Sequence, residues 1–181
     1  LFKKEIRGIC IVRPMLGVTR REVEQFLKTK RISFRIDQTN KSKKFFRNKI
    51  RLDLLPYLEK EFNPDIKNVL ANLSLTAYED YDYLQGEAHI LARRFLTPPD
   101  PKNKKIKIRL KNFLKLHPSL KRMLIRFAIE RLKKSTRQLT FAHIREIEAL
   151  LEDRPQGAVV NLPGLSVQKK SASLEFALRK P

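Results

Sequence analysis

The chain has 181 residues, with 40 Lys and Arg against 19 Asp and Glu, a formal charge of +21 and an isoelectric point near 10.4. That excess goes far beyond what solubility requires and calls for a polyanionic partner, in a chain long enough for one large or two small domains. No apolar run is long enough to span a bilayer and no signal-peptide pattern is present, so nucleic acid is favoured over acidic lipid and a cytoplasmic location is expected. A single cysteine, Cys10, excludes an internal disulfide and a multi-thiolate zinc site. His89, His117 and His143 are far apart in sequence, so no metal is expected.

In chain order, residues 9–12 form a short apolar run of strand type closed by Arg13-Pro14, with Cys10 read as a small buried hydrophobe. Thr19 and Glu22 stand at capping-box spacing and Val18 and Val23 at staple spacing, which predicts a helix over 19–30 with Val23, Phe26 and Leu27 inward. Residues 31–36 read as extended, with Ile32, Phe34 and Ile36 on one side. Asp37, Thr39 and Asn40 then suit an Asx-turn followed by an N-cap. In the helix expected after them, Phe46, Ile50 and Leu54 recur at helical spacing as a face that docks on a core, while Lys44, Arg47 and Arg51 follow the same period on an adjoining face.

Asn63-Pro64 predicts a helix start, and apolar residues from Ile66 to Phe95 hold a helical period for roughly eight turns. Gly86 inside that run is tolerable. Tyr78, Tyr81 and Tyr83 sit among Glu79, Asp80, Asp82 and Glu87, so they are read as packing residues; phosphate would be repelled there. Thr97-Pro98-Pro99-Asp100-Pro101 stops the helix and marks a domain boundary. After it, Lys102, Lys104, Lys105, Lys107, Arg109, Lys111 and Lys115 crowd a segment whose only nearby acid is Asp100. Ile106, Ile108 and Leu110 alternate with them, which fits an edge strand or arm with one cationic face touching RNA backbone. Pro118 opens a helix with Leu120, Leu124, Phe127 and Leu132 inward and Lys121, Arg122, Arg126, Arg131, Lys133 and Lys134 outward. Thr140 caps another, with Ile144, Ile147, Leu150 and Leu151 inward and His143 as a surface or capping-turn residue. Short strands follow over 158–162, 165–169 and 174–178, and Pro163-Gly164 stand where a type II turn wants them.

Four motifs in fixed order, Arg13-Pro14-Met15-Leu16, Asp37-Gln38-Thr39-Asn40, Arg47-Asn48-Lys49-Ile50-Arg51 and Leu54-Leu55-Pro56, resemble the later part of the catalytic domain of bacterial tRNA(Ile)-lysidine synthases. The helices and the Leu-Pro-Gly-hinged strands after residue 110 resemble, more loosely, the domain that follows the linker helix in longer members. Leu52 departs from the histidine that many members carry there, so no histidine-based role is read into this chain. The resemblance implies a ligase that adenylates the wobble cytidine of an isoleucine tRNA with ATP and Mg2+, after which free lysine displaces AMP and a carbon–nitrogen bond forms. The family's S-G-G-x-D-S loop is absent: the glycines are Gly8, Gly17, Gly86, Gly157 and Gly164. With Leu1 rather than Met first, the ATP-binding half is expected upstream, no cofactor is expected on this chain, and the chain alone is expected to be inactive.

The fold expected is mostly α with a small β component: residues 1–62 as the end of a Rossmann-like catalytic domain, 63–97 as a linker helix and 98–181 as a helical plus small-sheet tRNA-binding domain. Arg51 is read as catalytic. For Arg47 and Asp37 two readings stand: Arg47 holding an anion jointly with Arg51 while Asp37 orients one of them or helps receive the lysine ammonium, or an Asp37–Arg ion pair pinning turn to helix. Asn40 is read chiefly as an N-cap, and Asn40 and Lys44 are the candidate substrate contacts. Two alternatives are a basic RNA- or ribosome-binding module without chemistry, and a helical interaction scaffold; no membrane partner is expected, and the oligomeric state is not read from the sequence.

Overall fold

The computed structural model describes residues 2–6, 9–35, 37–100 and 104–179, and the chain divides by its own packing into residues 1–68 and 69–181. Gly8, Ile36, Pro101 and Lys102 lie outside the described residues, and with them the expectations placed on Ile36 and Lys102.

In the first unit, β1 (Phe2–Ile6) and β2 (Ile9–Arg13) pair as an antiparallel hairpin with Ile6 opposite Ile9. Cys10 is exposed, contrary to its expected burial, because no second layer among the described residues covers this two-stranded ribbon. Thr19 starts α1 (Arg20–Thr29) with the full capping box: its hydroxyl accepts the Glu22 amide at 3.2 Å while the Glu22 carboxylate accepts the Thr19 amide at 2.6 Å. Past Asp37 comes a 3-10 turn, Gln38–Lys41, then a helical run in three parts: α2 (Phe46–Lys49), a π-helical turn (Ile50–Leu54) and α3 (Leu55–Glu61). Pro56 explains the widening. It has no amide proton to give the carbonyl one turn back, and the Leu55 amide reaches Ile50 O across a π-type ring instead.

The face expected to dock on a core does not do so within this unit. Phe46 is 78% and Leu54 48% exposed, and Asn48 is the one buried side chain among the unit's described residues. The helical period is present; what is missing is an apolar layer for it to meet.

The second unit has its own core. Helix α4 (Ile66–Phe95) begins after Asn63, whose Oδ1 accepts the Asp65 amide at 2.8 Å, and becomes buried at Ala88, Ala92 and Phe95. Tyr78, Tyr81 and Tyr83 are about half exposed or more and lie outside the core, since the described core begins beyond them. The proline-rich stretch stops α4 as expected, but residues 96–100 fold back along β3 (Lys105–Arg109). Leu96 bridges Ile108, the Thr97 amide reaches Lys107 O at 2.9 Å and the Asp100 amide reaches Lys105 O at 2.8 Å.

Helices α5 (Pro118–Lys133) and α6 (Phe141–Glu152) precede β4 (Val159–Leu162), β5 (Leu165–Lys169) and β6 (Ser173–Leu178). The sheet order is β3-β6-β5-β4, antiparallel throughout. Alternation along each strand buries Ile106, Ile108, Leu165, Val167, Leu174 and Phe176 against Leu124, Ile125 and Ile129 of α5 and Ile147 and Leu150 of α6. At about 1.5–3 kcal/mol for each such side chain, hydrophobic burial holds this unit together and contributes little to the first. Thr140 and His143 close a capping box on α6, as expected for His143. Gly164, at φ +77, supplies the left-handed position of the β4–β5 turn, and the Lys133 ammonium donates to Pro163 O at 2.8 Å.

Candidate functional site

The site is built from a short polar turn locked to a helix. Asp37 takes extended backbone geometry and its carboxylate accepts the Thr39 amide at 2.8 Å, giving the Asx-turn that the Asp-x-Thr spacing predicts. The Asn40 amide then donates to Asp37 O at 3.1 Å and the Ser42 amide to Thr39 O at 3.0 Å. Asp37, not Asn40, is therefore the cap. Asn40 lies inside the 3-10 turn, and α2 begins after Phe45 without a side-chain cap, because Lys41 to Lys44 already separate Asn40 from the helix.

The connection between turn and helix is Asn48. It is 8% exposed, and its Nδ2 donates to Thr39 O at 2.9 Å and Ser42 O at 2.8 Å. One amide group ties two turn carbonyls to the helix that carries Arg51. An asparagine inside a helix is a poor helix former that prefers to bond neighbouring backbone, which is the signal sequence reasoning passed over here.

These elements wall a cleft of about 660 Å³ within the first unit. Helix α1 contributes Arg20, Val23, Glu24 and Leu27, the extended run contributes Phe34 and Arg35, the turn contributes Asp37 and Asn40, and the helical run contributes Arg51 and Leu55. Of the sequence-predicted set, Asp37, Asn40 and Arg51 are brought together; Arg47 and Lys44 do not line the cleft. Arg51 falls in the π-helical turn and Arg47 in α2, so the two do not share one regular α-helical stripe.

Charge inside the cleft is unevenly committed. Arg20 pairs with Glu24 at 2.7 Å, and Lys67, also in the lining, pairs with Glu59 at 2.6 Å. No described carboxylate pairs with Arg35 or Arg51, so two guanidinium forks remain available to an anion. The Thr39 backbone hydrogen bond, reinforced by Thr39's side chain, holds the Asp37 carboxyl below its ordinary range, so it stays ionised. Val23, Leu27, Phe34 and Leu55 form the apolar part of the lining, and Phe34 is about half exposed, so charges in the cleft stay in contact with solvent. Arg35 was absent from the sequence-read site because it belongs to a run read only for its apolar side.

In the second unit, the expected cationic strand exists, but its nearest acid is not Asp100 alone. Register places Lys107 opposite Glu175 of β6, whose carboxylate accepts from Lys105 at 2.7 Å and lies 3.5 Å from Lys107. The hydrogen bond from Lys105 first, then the charge of both lysines, holds Glu175 below its ordinary range against the opposing effect of burial. Two predicted RNA contacts thus answer an internal carboxylate, while Lys104, Arg109 and Lys111 are in no described ion pair. A second carboxylate, Glu148 of α6, is buried and held by Arg122 at 2.7 Å and Arg145 at 3.0 Å, so Arg122 is not simply outward-facing. Among the described residues no group of His, Cys, Asp and Glu is assembled to hold a metal ion, and no helix is long and apolar enough to cross a membrane.

Comparison with known proteins matches two segments of the chain. Residues 2–58 match the PP-loop domain and residues 109–172 the TilS substrate binding domain. The chain is similar to the tRNA(Ile)-lysidine synthase of Clostridioides difficile (strain 630), 33% identical over 171 residues that cover 93% of this chain and 36% of that protein. It is likewise similar to that of Solibacter usitatus (strain Ellin6076), 32% identical over 174 residues, 94% of this chain and 39% of the relative. Against that of Nostoc sp. (strain PCC 7120 / SAG 25.82 / UTEX 2576) it is 27% identical over 174 residues, 87% of this chain and 50% of the relative. The chain thus spans between about a third and a half of the length of these curated relatives.

Proposed function

We propose that the chain, similar to the tRNA(Ile)-lysidine synthases through both its PP-loop segment and its TilS substrate binding segment, supplies one wall of the reaction cleft, a linker helix and a tRNA-binding domain to such an enzyme. In the whole enzyme the O2 of the wobble cytidine of an isoleucine tRNA attacks the α-phosphorus of ATP, the bond to the β-phosphate breaks and pyrophosphate leaves, giving the adenylated base. The amine of free lysine then attacks the activated carbon: a C–N bond forms, the C–O bond to AMP breaks with its electron pair leaving on phosphate, and the ammonium proton is lost.

The observation that carries this reading is the convergence of Asp37, Asn40, Arg35 and Arg51 on one cleft inside the PP-loop match. Arg51 and Arg35 present fork-shaped donors to an anionic group of the activated base, preorganised charge being worth most where negative charge develops. Asp37, held ionised, faces an incoming ammonium, and Asn40 offers an amide to the base. Lys44 and Arg47 do not line the cleft and carry no step in this reading.

ATP with Mg2+ is the co-substrate this reading requires, and the residues described here do not fit its phosphates. None of Gly17, Gly86, Gly157 and Gly164 lines the cleft, and no S-G-G-x-D-S loop occurs. We therefore assign ATP no seat in this chain and expect no adenylation by the chain alone. In the second unit Lys104, Arg109 and Lys111 contact RNA backbone, positioning the tRNA without reading sequence. The location is cytoplasmic, and the residue spans 1–62, 63–97 and 98–181 are kept as catalytic portion, linker and tRNA-binding portion.

Arg51→Ala in the full-length protein tests the assignment. The expected outcome is a turnover loss of about 10²–10³-fold with an unchanged melting temperature. A lowered melting temperature with proportionate loss of activity would make Arg51 a structural pin instead.

A further inference from the structure

The end of α4 and the end of β3 converge on a pocket of about 330 Å³ lined by Arg94, Phe95, Arg109, Lys111 and Asn112. Its lining holds three cationic side chains and no carboxylate. Register explains why Arg109 differs from the lysines before it: Lys107 stands opposite Glu175, whereas Arg109 stands opposite the uncharged Ser173. The same hydrogen bonds that fold residues 96–97 back onto β3 bring the last turn of α4, and hence Arg94, to this end of the strand. Phe95 is buried beside it, with the Arg94 guanidinium carbon 5.7 Å from the ring centroid, so that cation rests on a fixed apolar wall. Asn112 adopts a left-handed backbone, φ 64, which turns the chain directly after Lys111 at the pocket. Three like charges gathered around one concavity repel one another and are relieved by an anion. Two forked guanidiniums and an ammonium suit a tetrahedral oxyanion.

We infer that this pocket seats one backbone phosphodiester of the bound RNA, with Arg94, Arg109 and Lys111 as its cationic ligands and the Asn112 amide as a neutral donor. The inference rests on the RNA-binding reading above and adds Arg94 and Asn112, which sequence reasoning did not single out. It also divides the basic segment: the Lys105–Lys107 end of the strand is engaged with Glu175, and the Arg109–Lys111 end engages the ligand.

The test is fluorescence anisotropy of labelled tRNA with the purified 181-residue chain between about 50 and 200 mM salt. The unsubstituted chain is compared with Arg94→Gln/Arg109→Gln/Lys111→Gln and with Lys105→Gln/Lys107→Gln/Glu175→Gln. Loss of one phosphate contact lowers the slope of log K against log salt by about 0.7–0.9, and the pocket variant should show that drop together with about tenfold weaker binding at low salt. The strand variant should keep its slope. Should the pocket triple fail to fold, Arg109→Gln alone, at an exposed strand position, is expected to give a partial drop. Salt-dependent tRNA binding that survives unchanged in a folded pocket variant overturns the seat while leaving the RNA-binding reading standing. Absence of salt-dependent tRNA binding by the unsubstituted chain overturns both. Anionic phosphatidylglycerol vesicles that bind through the pocket residues while tRNA binding ignores them would assign the pocket to lipid and overturn it too.

Discussion

Replacing Asn48 by alanine should release the polar turn from the helix that carries Arg51. Asn48 Nδ2 bonds two carbonyls, and they are not equivalent. Thr39 O also accepts the Ser42 amide at 3.0 Å, so it keeps a partner and loses about 0.5–1.5 kcal/mol, whereas Ser42 O has no other described donor and bears a desolvation cost of about 1–3 kcal/mol. Together the expected loss is about 1.5–4.5 kcal/mol, confined to the first unit. Asn48→Asp should be worse, since it puts a carboxylate oxygen where two carbonyls need a donor. Hydrogen exchange by mass spectrometry on the full-length protein reads this directly: the amides of Asn40, Ser42 and Asn48 should exchange about 10- to 2,000-fold faster, the factor that such a free energy implies. Turnover should fall in parallel while tRNA affinity, carried by the second unit, stays the same. If both variants exchange like the unsubstituted protein over residues 37–54, the clamp contributes nothing and the cleft is held in shape by something else.

Two further outcomes follow from the second unit. Glu175 has a folded-state value below its ordinary 4.5, so its contribution to stability is complete above that pH and is lost as pH falls through the depressed value. Thermal unfolding followed from pH 7 to pH 3 should therefore show a decline below about 4.5 that is shallower in Glu175→Gln; a parallel decline would show that the lysine pair does not hold this carboxylate. Gly164→Ala forces a side chain into φ +77 and places its Cβ 3.4 Å from the Lys133 side chain, with an expected loss of about 1–2 kcal/mol in urea unfolding. An unchanged midpoint would mean that the β4–β5 turn relaxes without cost.

What the amino-acid sequence made legible was whatever local spacing determines. Thr19 with Glu22, Asn63 with Pro64, Thr140 with His143 and Pro163 with Gly164 each carry their meaning within four residues, and the structure places a cap or turn at every one of them. Alternation of Ile106, Ile108 and Leu110 with basic residues likewise predicted the buried and exposed sides of β3. The readings that failed depended on a distant partner. Phe46, Ile50 and Leu54 have the right period, yet burial needs a facing layer that the period itself does not supply. Lys105 and Lys107 looked unopposed because Glu175 is about 70 residues away and meets them only through strand register. Within the candidate cleft, Asp37 and Arg51 were legible from their motifs. Arg35 joined only when the extended run and α1 were seen to wall the same space, and Arg47, in α2, does not line it.

The fold-back of residues 96–100 has a consequence for how the sheet behaves in a crowded solution. A strand at the rim of a sheet is an open template for a neighbouring chain, and here the β3 rim is already occupied in part by the molecule's own backbone, behind a row of cations. The opposite rim, β4, has four residues and a half-exposed Val159. Unwanted strand-to-strand association should therefore begin at β4, and a lysine introduced at Val159 is where solubility can be raised without disturbing either cationic site.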